Sequence, residues 1–182
     1  KTKTRVSEIA IPIENKLVNE FIEDLESELV SQRPRPSLMH GDFCFSNLLY
    51  DFQGNNIIMI DPRGELFGDH YYEVAKICHS ILFDYDFVDA ELYVKEGDSY
   101  KLYNNGKDEI KDLFMTKLQS LYSDDEITYI FMLTASLFLS MIPLHSHNVN
   151  NQKIYYDIFK VIYQMVKDRY EGNIWTTREA SF

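Results

Sequence analysis

Apolar positions in this chain recur mostly at helical spacing. Between Glu14 and Ser31, Leu17, Phe21, Leu25 and Leu29 form one stripe with Val18 and Ile22 beside it, while Glu20, Glu23, Asp24 and Glu26 take the other side. That period predicts an amphipathic helix. Arg33-Pro34-Arg35-Pro36 ends it, because proline cannot continue the backbone ladder. Asp69 is a good N-cap for a second helix running to about Phe83, with Val74, Ile77, Cys78, Ile81 and Leu82 inward. Three more follow. Residues 107–121 turn Ile110, Leu113, Phe114, Leu118 and Leu121 inward. Ser123 and Glu126 have capping-box spacing before an apolar helix at 126–142, which Pro143 closes. Asn151–Tyr170 carries Ile154, Ile158, Phe159, Ile162, Met165 and Val166, and Gly172 is its stop signal.

The other period is two. Residues 4–13 alternate weakly through Ile9, Ile11 and Ile13, but Pro12 restricts them to an edge strand or an extended linker. Ser37-Leu38-Met39 is a short lead-in. Leu48-Leu49-Tyr50 and Ile57-Ile58-Met59-Ile60 read as two strands joined by the turn-rich Asp51–Asn56 with Gly54 inside. A hairpin brings the chain back on itself, so Asn47 and Asp61 should meet at one end of it. Glu91–Lys95 and Ser99–Tyr103, split by Glu96-Gly97-Asp98, form a second candidate hairpin, and Asn104-Asn105-Gly106 is a turn. The sum is an α+β, mostly helical fold. We expect a single domain over 1–182, with a leading segment and helix at 1–36, a catalytic and metal-binding segment at 37–69 and a helical subdomain at 70–182.

Composition narrows the functional classes. At 182 residues and 45% hydrophobic the chain is long and apolar enough for a real core. Thirteen Tyr, 12 Phe and one Trp supply large side chains to pack between helices. The net charge of −11 argues against nucleic acid and against anionic membrane surfaces, and it attracts cationic substrates; solubility alone also accounts for it. Cys44 and Cys78 make no disulfide framework, and no signal peptide is visible. The apolar run Ile127–Ile142 is short for a membrane span and reads as a core helix. We expect a cytoplasmic protein with no membrane insertion.

The chemistry concentrates in His40-Gly41-Asp42-Phe43-Cys44-Phe45-Ser46-Asn47 and Ile60-Asp61-Pro62-Arg63-Gly64. An Asp, an Asn five residues on and a second Asp beyond a hairpin follow the order of a phosphoryl-transfer site. Such a site needs a base near the attacking hydroxyl and metal ions on the phosphates. Magnesium takes oxygen ligands and keeps several waters, so one or two carboxylates and an amide suffice. Asp42 is the candidate base, and Asn47 and Asp61 are the candidate metal ligands. Taken singly, Asp42 can cap a turn, Asn47 can close an Asx-turn and Asp61 can precede proline in a loop. Those readings explain each residue but not their order.

These residues resemble the aminoglycoside phosphotransferase and choline kinase superfamily. Its members carry H-G-D-x-x-x-x-N and then I-D, matched here by His40, Gly41, Asp42, Asn47, Ile60 and Asp61. Their next segment, often G-D-x-x-x-D-L-A, is matched by Gly68-Asp69-His70-Tyr71-Tyr72-Glu73-Val74-Ala75, with Glu in place of Asp. The resemblance is clearest over 38–76. It implies a protein-kinase-like C-terminal lobe with a small catalytic hairpin, the cofactors ATP and Mg2+, and a small-molecule hydroxyl acceptor such as a sugar, amino sugar or amino alcohol. HGDFCFSN and IDPRG are also similar to phosphotransferases of capsule and surface-polysaccharide clusters. Protein kinases differ, with Arg at the Gly41 position and no counterpart here of the A-P-E segment after Asp61.

Only 39 residues precede His40, and neither G-x-G-x-x-G nor G-K-[ST] occurs. We therefore expect the ATP-binding N-terminal lobe of the same protein to lie outside this chain. A catalytically silent binding or scaffold module is the alternative. His40 is expected to fix the loop by hydrogen bonding and packing rather than to bind metal. Arg63 can pair with a phosphate of the nucleotide or form an internal salt bridge. Asp69 and Glu73 can brace the loop, though Asp69 is equally explained as a cap. Cys44 reads as a small buried residue. His145 and His147 are too few for zinc. The acids of 84–98 can line a pocket for a cationic acceptor, but a solvated loop is the safer reading.

Overall fold

A computed structural model describes residues 2–97, 99–104, 106–171 and 175. The turn signals at Asp98 and Asn105 and the stop at Gly172 lie outside the described residues. The helices are α1 (Thr2–Val6), α2 (Asn15–Ser31), α3 (His70–Ile81), α4 (Tyr85–Asp89), α5 (Asp108–Leu121), α6 (Asp124–Met141) and α7 (Val149–Tyr170). The strands are β1 (Pro36–Leu38), β2 (Leu48–Asp51), β3 (Asn56–Met59), β4 (Phe67–Asp69), β5 (Tyr93–Glu96) and β6 (Ser99–Leu102). The α+β, mostly helical class expected from the sequence is the one observed.

α6 is the central element. It packs between α3 and α7, and α1, α2 and α5 also rest on it. Its N-terminus carries the predicted capping box: Glu126 N–H donates to Ser123 Oγ, and Ser123 N–H donates to the Glu126 carboxylate. The stretch Asp124–His145 is apolar and long enough to cross a membrane, and most of it is buried inside the protein. α7 starts on Asn148, whose side chain accepts from the N–H groups of Asn150 and Asn151. All six of its predicted inward residues are buried.

Three departures from the sequence reading have physical causes. Thr4, Arg5 and Val6, read as extended, are helical in α1, where Val6 packs on the core, and of the two readings for the rest of 4–13 the strand fails because no neighbouring strand pairs with it. Ile9, Ile11 and Ile13 instead pack half-buried on the core as an extended linker, and Glu14 N–H donates to the Tyr156 hydroxyl at 2.8 Å. In α2, Val18, Phe21 and Leu25 are buried but Leu29 is 49% exposed. An i, i+4 row precesses by about 40° per step at 3.6 residues per turn, so the stripe from Leu17 to Leu29 rotates off the core. In α5, Met115 and Leu118 are buried, whereas Ile110, Leu113 and Leu121 face outward. That helix touches α3 and α6 along a narrow seam that holds fewer apolar residues than the pattern offers.

The strands make three separate antiparallel ribbons, β1–β4, β2–β3 and β5–β6. The β2–β3 and β5–β6 hairpins were legible in the sequence. The β1–β4 pairing was not: Pro36 faces Asp69, Ser37 faces Gly68 and Leu38 faces Phe67. It closes the excursion 39–66 at its base and delivers the chain directly into α3. β2–β3 stands out from the core, with Leu49, Tyr50, Ile57, Ile58 and Met59 all exposed.

Candidate active site

The segment 40–47 is clamped from three sides. From beneath, the Glu73 carboxylate on α3 accepts from His40 N–H at 3.1 Å and from Gly41 N–H at 2.7 Å. From the segment that follows β3, Arg63 N–H donates to the His40 carbonyl at 2.7 Å. The His40 ring donates from Nε2 to the Ile60 carbonyl at 3.0 Å. Because a carbonyl only accepts, that contact puts the proton on Nε2 and leaves buried Nδ1 without a partner. Further along, Phe45 N–H donates to Ser80 Oγ and Ser46 N–H to Asp86 Oδ1. Six loop groups are thus tied to helices α3 and α4 or to the segment that follows β3.

Gly41 is required by shape. Its φ is +78°, and a Cβ there would lie 1.7 Å from the Arg63 carbonyl oxygen. No side chain fits between two backbone segments in such contact. Asp61 also sits at positive φ, +56°, a conformation Asp tolerates better than most residues.

Asn47 closes a 3-10 turn at the foot of β2. Its amide Nδ2 donates to the Asp42 carbonyl at 2.8 Å, and its own carbonyl accepts from Ile60 N–H at 3.0 Å. Since Leu48 faces Met59 in the β2–β3 register, Asn47 and the Ile60-Asp61 step end up at one mouth, as the hairpin pattern predicted. Asp42 and Asp61 converge on one guanidinium. Arg63 reaches Asp61 Oδ2 through Nε at 3.1 Å and Nη2 at 2.8 Å, and its Nε lies 3.5 Å from Asp42 Oδ2. Arg63 therefore forms an internal salt bridge here, and its side chain is two-thirds exposed. The paired carboxylates push the Arg63 pKa upward, through the Asp61 hydrogen bond first and the Asp42 charge next.

Sequence reasoning missed Lys76. Its Nζ is 2.7 Å from Asp42 Oδ1. Burial raises the Asp42 pKa, but the Lys76 hydrogen bond and charge outweigh it. With Arg63 and Asn47 they hold the carboxyl below its usual range. The available signal was a lysine among residues of α3 that are otherwise buried and apolar, Ala75, Ile77 and Cys78.

The remaining candidates fall outside this cluster. Asp69 caps α3 through Tyr71 N–H and also accepts from the Arg35 N–H and the Tyr129 hydroxyl, so its work is at the β1–β4 base. Cys44 is buried, and burial pushes its thiol up, away from a reactive thiolate. His145 bonds the Met141 carbonyl and Asp89. No cluster of three His, Cys, Asp or Glu side chains suited to a metal occurs among the described residues. The solvated-loop reading fails at the start of this acidic stretch, whereas Glu91 and Glu96 further on are exposed. Asp84 is buried against Lys107 and Lys111, and residues 85–89 form α4.

A profile of the phosphotransferase enzyme family matches residues 8–108 of the 182. The chain belongs to the phosphotransferase enzyme family. No curated protein and no solved structure matches it. The matched span covers β1 through β6 and therefore every residue of this phosphotransferase's candidate site, with α6 and most of α7 serving as the support behind it.

Proposed function

We propose that this phosphotransferase moves the γ-phosphoryl group of ATP to a hydroxyl of a small molecule, a sugar, amino sugar or amino alcohol, in the cytoplasm where ATP is supplied. Assembly of bacterial surface polysaccharide is the setting that the HGDFCFSN and IDPRG wording favours. The observation that carries the reading is the convergence of Asp42 and Asp61 on one cation, Arg63, with Asn47 hydrogen-bonded to Asp42 beside them.

The donor set fits magnesium. Asp61 offers carboxylate oxygens and Asn47 an amide oxygen, whose NH2 is already engaged with the Asp42 carbonyl. Both are hard ligands of the kind Mg2+ prefers. The Arg63 guanidinium stands where positive charge is wanted. Bound Mg2+ would neutralise the phosphates of the nucleotide. Asp42 takes the proton of the acceptor hydroxyl as the new O–P bond forms and the bond from the γ-phosphorus to the ADP oxygen breaks. With Asp61 holding the metal, Arg63, whose side chain is largely exposed, would be available to pair with a phosphate oxygen. General-base help from Asp42 is worth roughly 10²–10⁴-fold.

The test is ADP release by the intact protein with Mg-ATP across a panel of sugars, amino sugars and amino alcohols. Asp42→Ala should keep nucleotide binding and lose turnover. Asp61→Ala should raise the magnesium needed for half-maximal rate. Wild-type turnover in Asp42→Ala, or an unchanged magnesium requirement in Asp61→Ala, would remove the respective assignment.

A further inference from the structure

Helix α3 offers the candidate loop two charged side chains three residues apart. Glu73 and Lys76 therefore share a face of the helix. Glu73 holds the loop's backbone by the N–H groups of His40 and Gly41, and Lys76 holds its carboxylate by Asp42 Oδ1. We propose that Lys76 is a positioning residue for the transfer reaction, fixing Asp42 by Oδ1 so that Oδ2 is the oxygen presented to the acceptor hydroxyl. The proposal rests on the reading of Asp42 as the base.

The two cations on Asp42 are unequal. Lys76 makes a 2.7 Å contact from a side chain only 10% exposed, whereas Arg63 approaches the other oxygen at 3.5 Å from a side chain 66% exposed. Arg63 can swing away into solvent; Lys76 is walled in. The Tyr85 ring lies 5.9 Å from its Nζ, with the buried His79 ring stacked on that tyrosine at 4.0 Å. Lys76 therefore stays on Oδ1 when Oδ2 is cleared.

Stability does not explain a lysine here. Its helix neighbours Ala75, Ile77 and Cys78 are buried, and Tyr71, one turn and a residue earlier, is buried too. A buried ion pair gives little or nothing over well-packed apolar side chains, because both charges lose their water. Apolar side chains at both positions of the pair would serve the fold as well. A carboxylate, by contrast, rotates broadly about its last torsion, and a base must be held near the attacking atom. One oxygen anchored by a rigid helix leaves the other in a defined place. In the reaction the acceptor proton passes to Oδ2 and from there to solvent, and Lys76 neither gives nor takes a proton.

The experiment is a double-variant cycle in the intact protein: Lys76→Met, Asp42→Asn and the two combined, with kcat and KM for Mg-ATP read by ADP release over the hydroxyl panel. Lys76→Met should lower kcat about 10- to 100-fold, the scale of a misplaced catalytic group, with KM for Mg-ATP within about twofold. The combined variant should be no slower than Asp42→Asn alone, since Lys76 acts only through that carboxylate. Lys76→Arg, which keeps the charge, should exceed Lys76→Met. Lys76→Gln replaces Lys76→Met if the latter fails to fold. Full kcat in the uncharged variant, or losses that multiply in the combined one, would overturn the role of Lys76 while leaving the kinase reading intact. A wild-type protein that releases no ADP with any acceptor would overturn that reading, and the Lys76 role with it.

Discussion

Glu73 in α3 accepts hydrogen bonds from the backbone N–H groups of both His40 and Gly41, one on each carboxylate oxygen, at 3.1 and 2.7 Å. A helix side chain thereby sets the path of the candidate loop. Glutamine offers one acceptor oxygen where glutamate offers two, so Glu73→Gln leaves one of these N–H groups facing an NH2. An unsatisfied, partly buried donor costs about 1–3 kcal/mol. We expect Glu73→Gln to lower the urea midpoint accordingly and to speed hydrogen exchange at His40 and Gly41 ahead of the α6 core. Unchanged exchange at those two amides would show that the brace is dispensable.

Gly41→Ala should be more damaging than its single methyl suggests. The new Cβ would lie 1.7 Å from the Arg63 carbonyl oxygen, at a φ of +78°. Left-handed backbone alone costs roughly 1–2 kcal/mol for a residue with a Cβ, and here the loop must also part from residue 63. The expected outcome is loss of turnover with retained helical circular dichroism, because the α3–α6–α7 core is elsewhere. A variant as active as wild type would mean that the His40–Arg63 contact is not needed.

Asp84 tests the stability of the support. It is buried, at φ +56°, with Lys107 Nζ 2.8 Å from Oδ1 and Lys111 Nζ 2.6 Å from Oδ2. Asn104 Nδ2 also donates to Oδ2 at 2.8 Å. Asparagine tolerates the same backbone, so Asp84→Asn isolates the charge. It strands the buried Lys107 ammonium without its counter-ion, which should cost about 3–5 kcal/mol. Equilibrium unfolding in urea reads this directly, and a loss below the error of extrapolation would contradict it.

Acid stability should depend on Glu126. The Tyr71 hydroxyl, first, and the Ser123 N–H hold its carboxyl below the ordinary value of 4.5, and Tyr71 itself, pushed up to about 12 by burial and by Glu126, stays a donor throughout. A carboxyl with a lowered folded pKa stabilises the fold above its unfolded pKa and loses that contribution as pH falls through the folded value. Thermal unfolding between neutral pH and pH 3 should therefore show a shallower acid decline in Glu126→Gln than in wild type. Parallel curves would assign the decline to other carboxylates.

Much of this was readable before the fold was known. The β2–β3 hairpin, the caps at Asp69 and Ser123 and the inward face of α7 follow from local rules of period and capping, which operate within a few residues. The order Asp42, Asn47, Asp61 was legible because its spacing is set by one short hairpin. Leu29, Ile110, Leu113 and Leu121 were misread as buried because a helix pattern tells which residues share a face, not how wide a surface the neighbours will cover.

The sequence by itself determined the five long helices α2, α3, α5, α6 and α7, the two hairpins and the three oxygen-bearing residues at the candidate site, since each depends on residues close along the chain; the short α1 and α4 were not legible. Only the tertiary structure decided that β1 pairs with β4 and which two N–H groups Glu73, already legible as a brace, takes hold of. It likewise decided that Lys76 and Arg63 share the Asp42 carboxylate and that Asp84 is buried. Those contacts join side chains 20 to 40 residues apart, or strands whose pairing depends on everything folded between them. Electrostatic partners at such range are chosen by how the packed helices are oriented, and no local pattern encodes that.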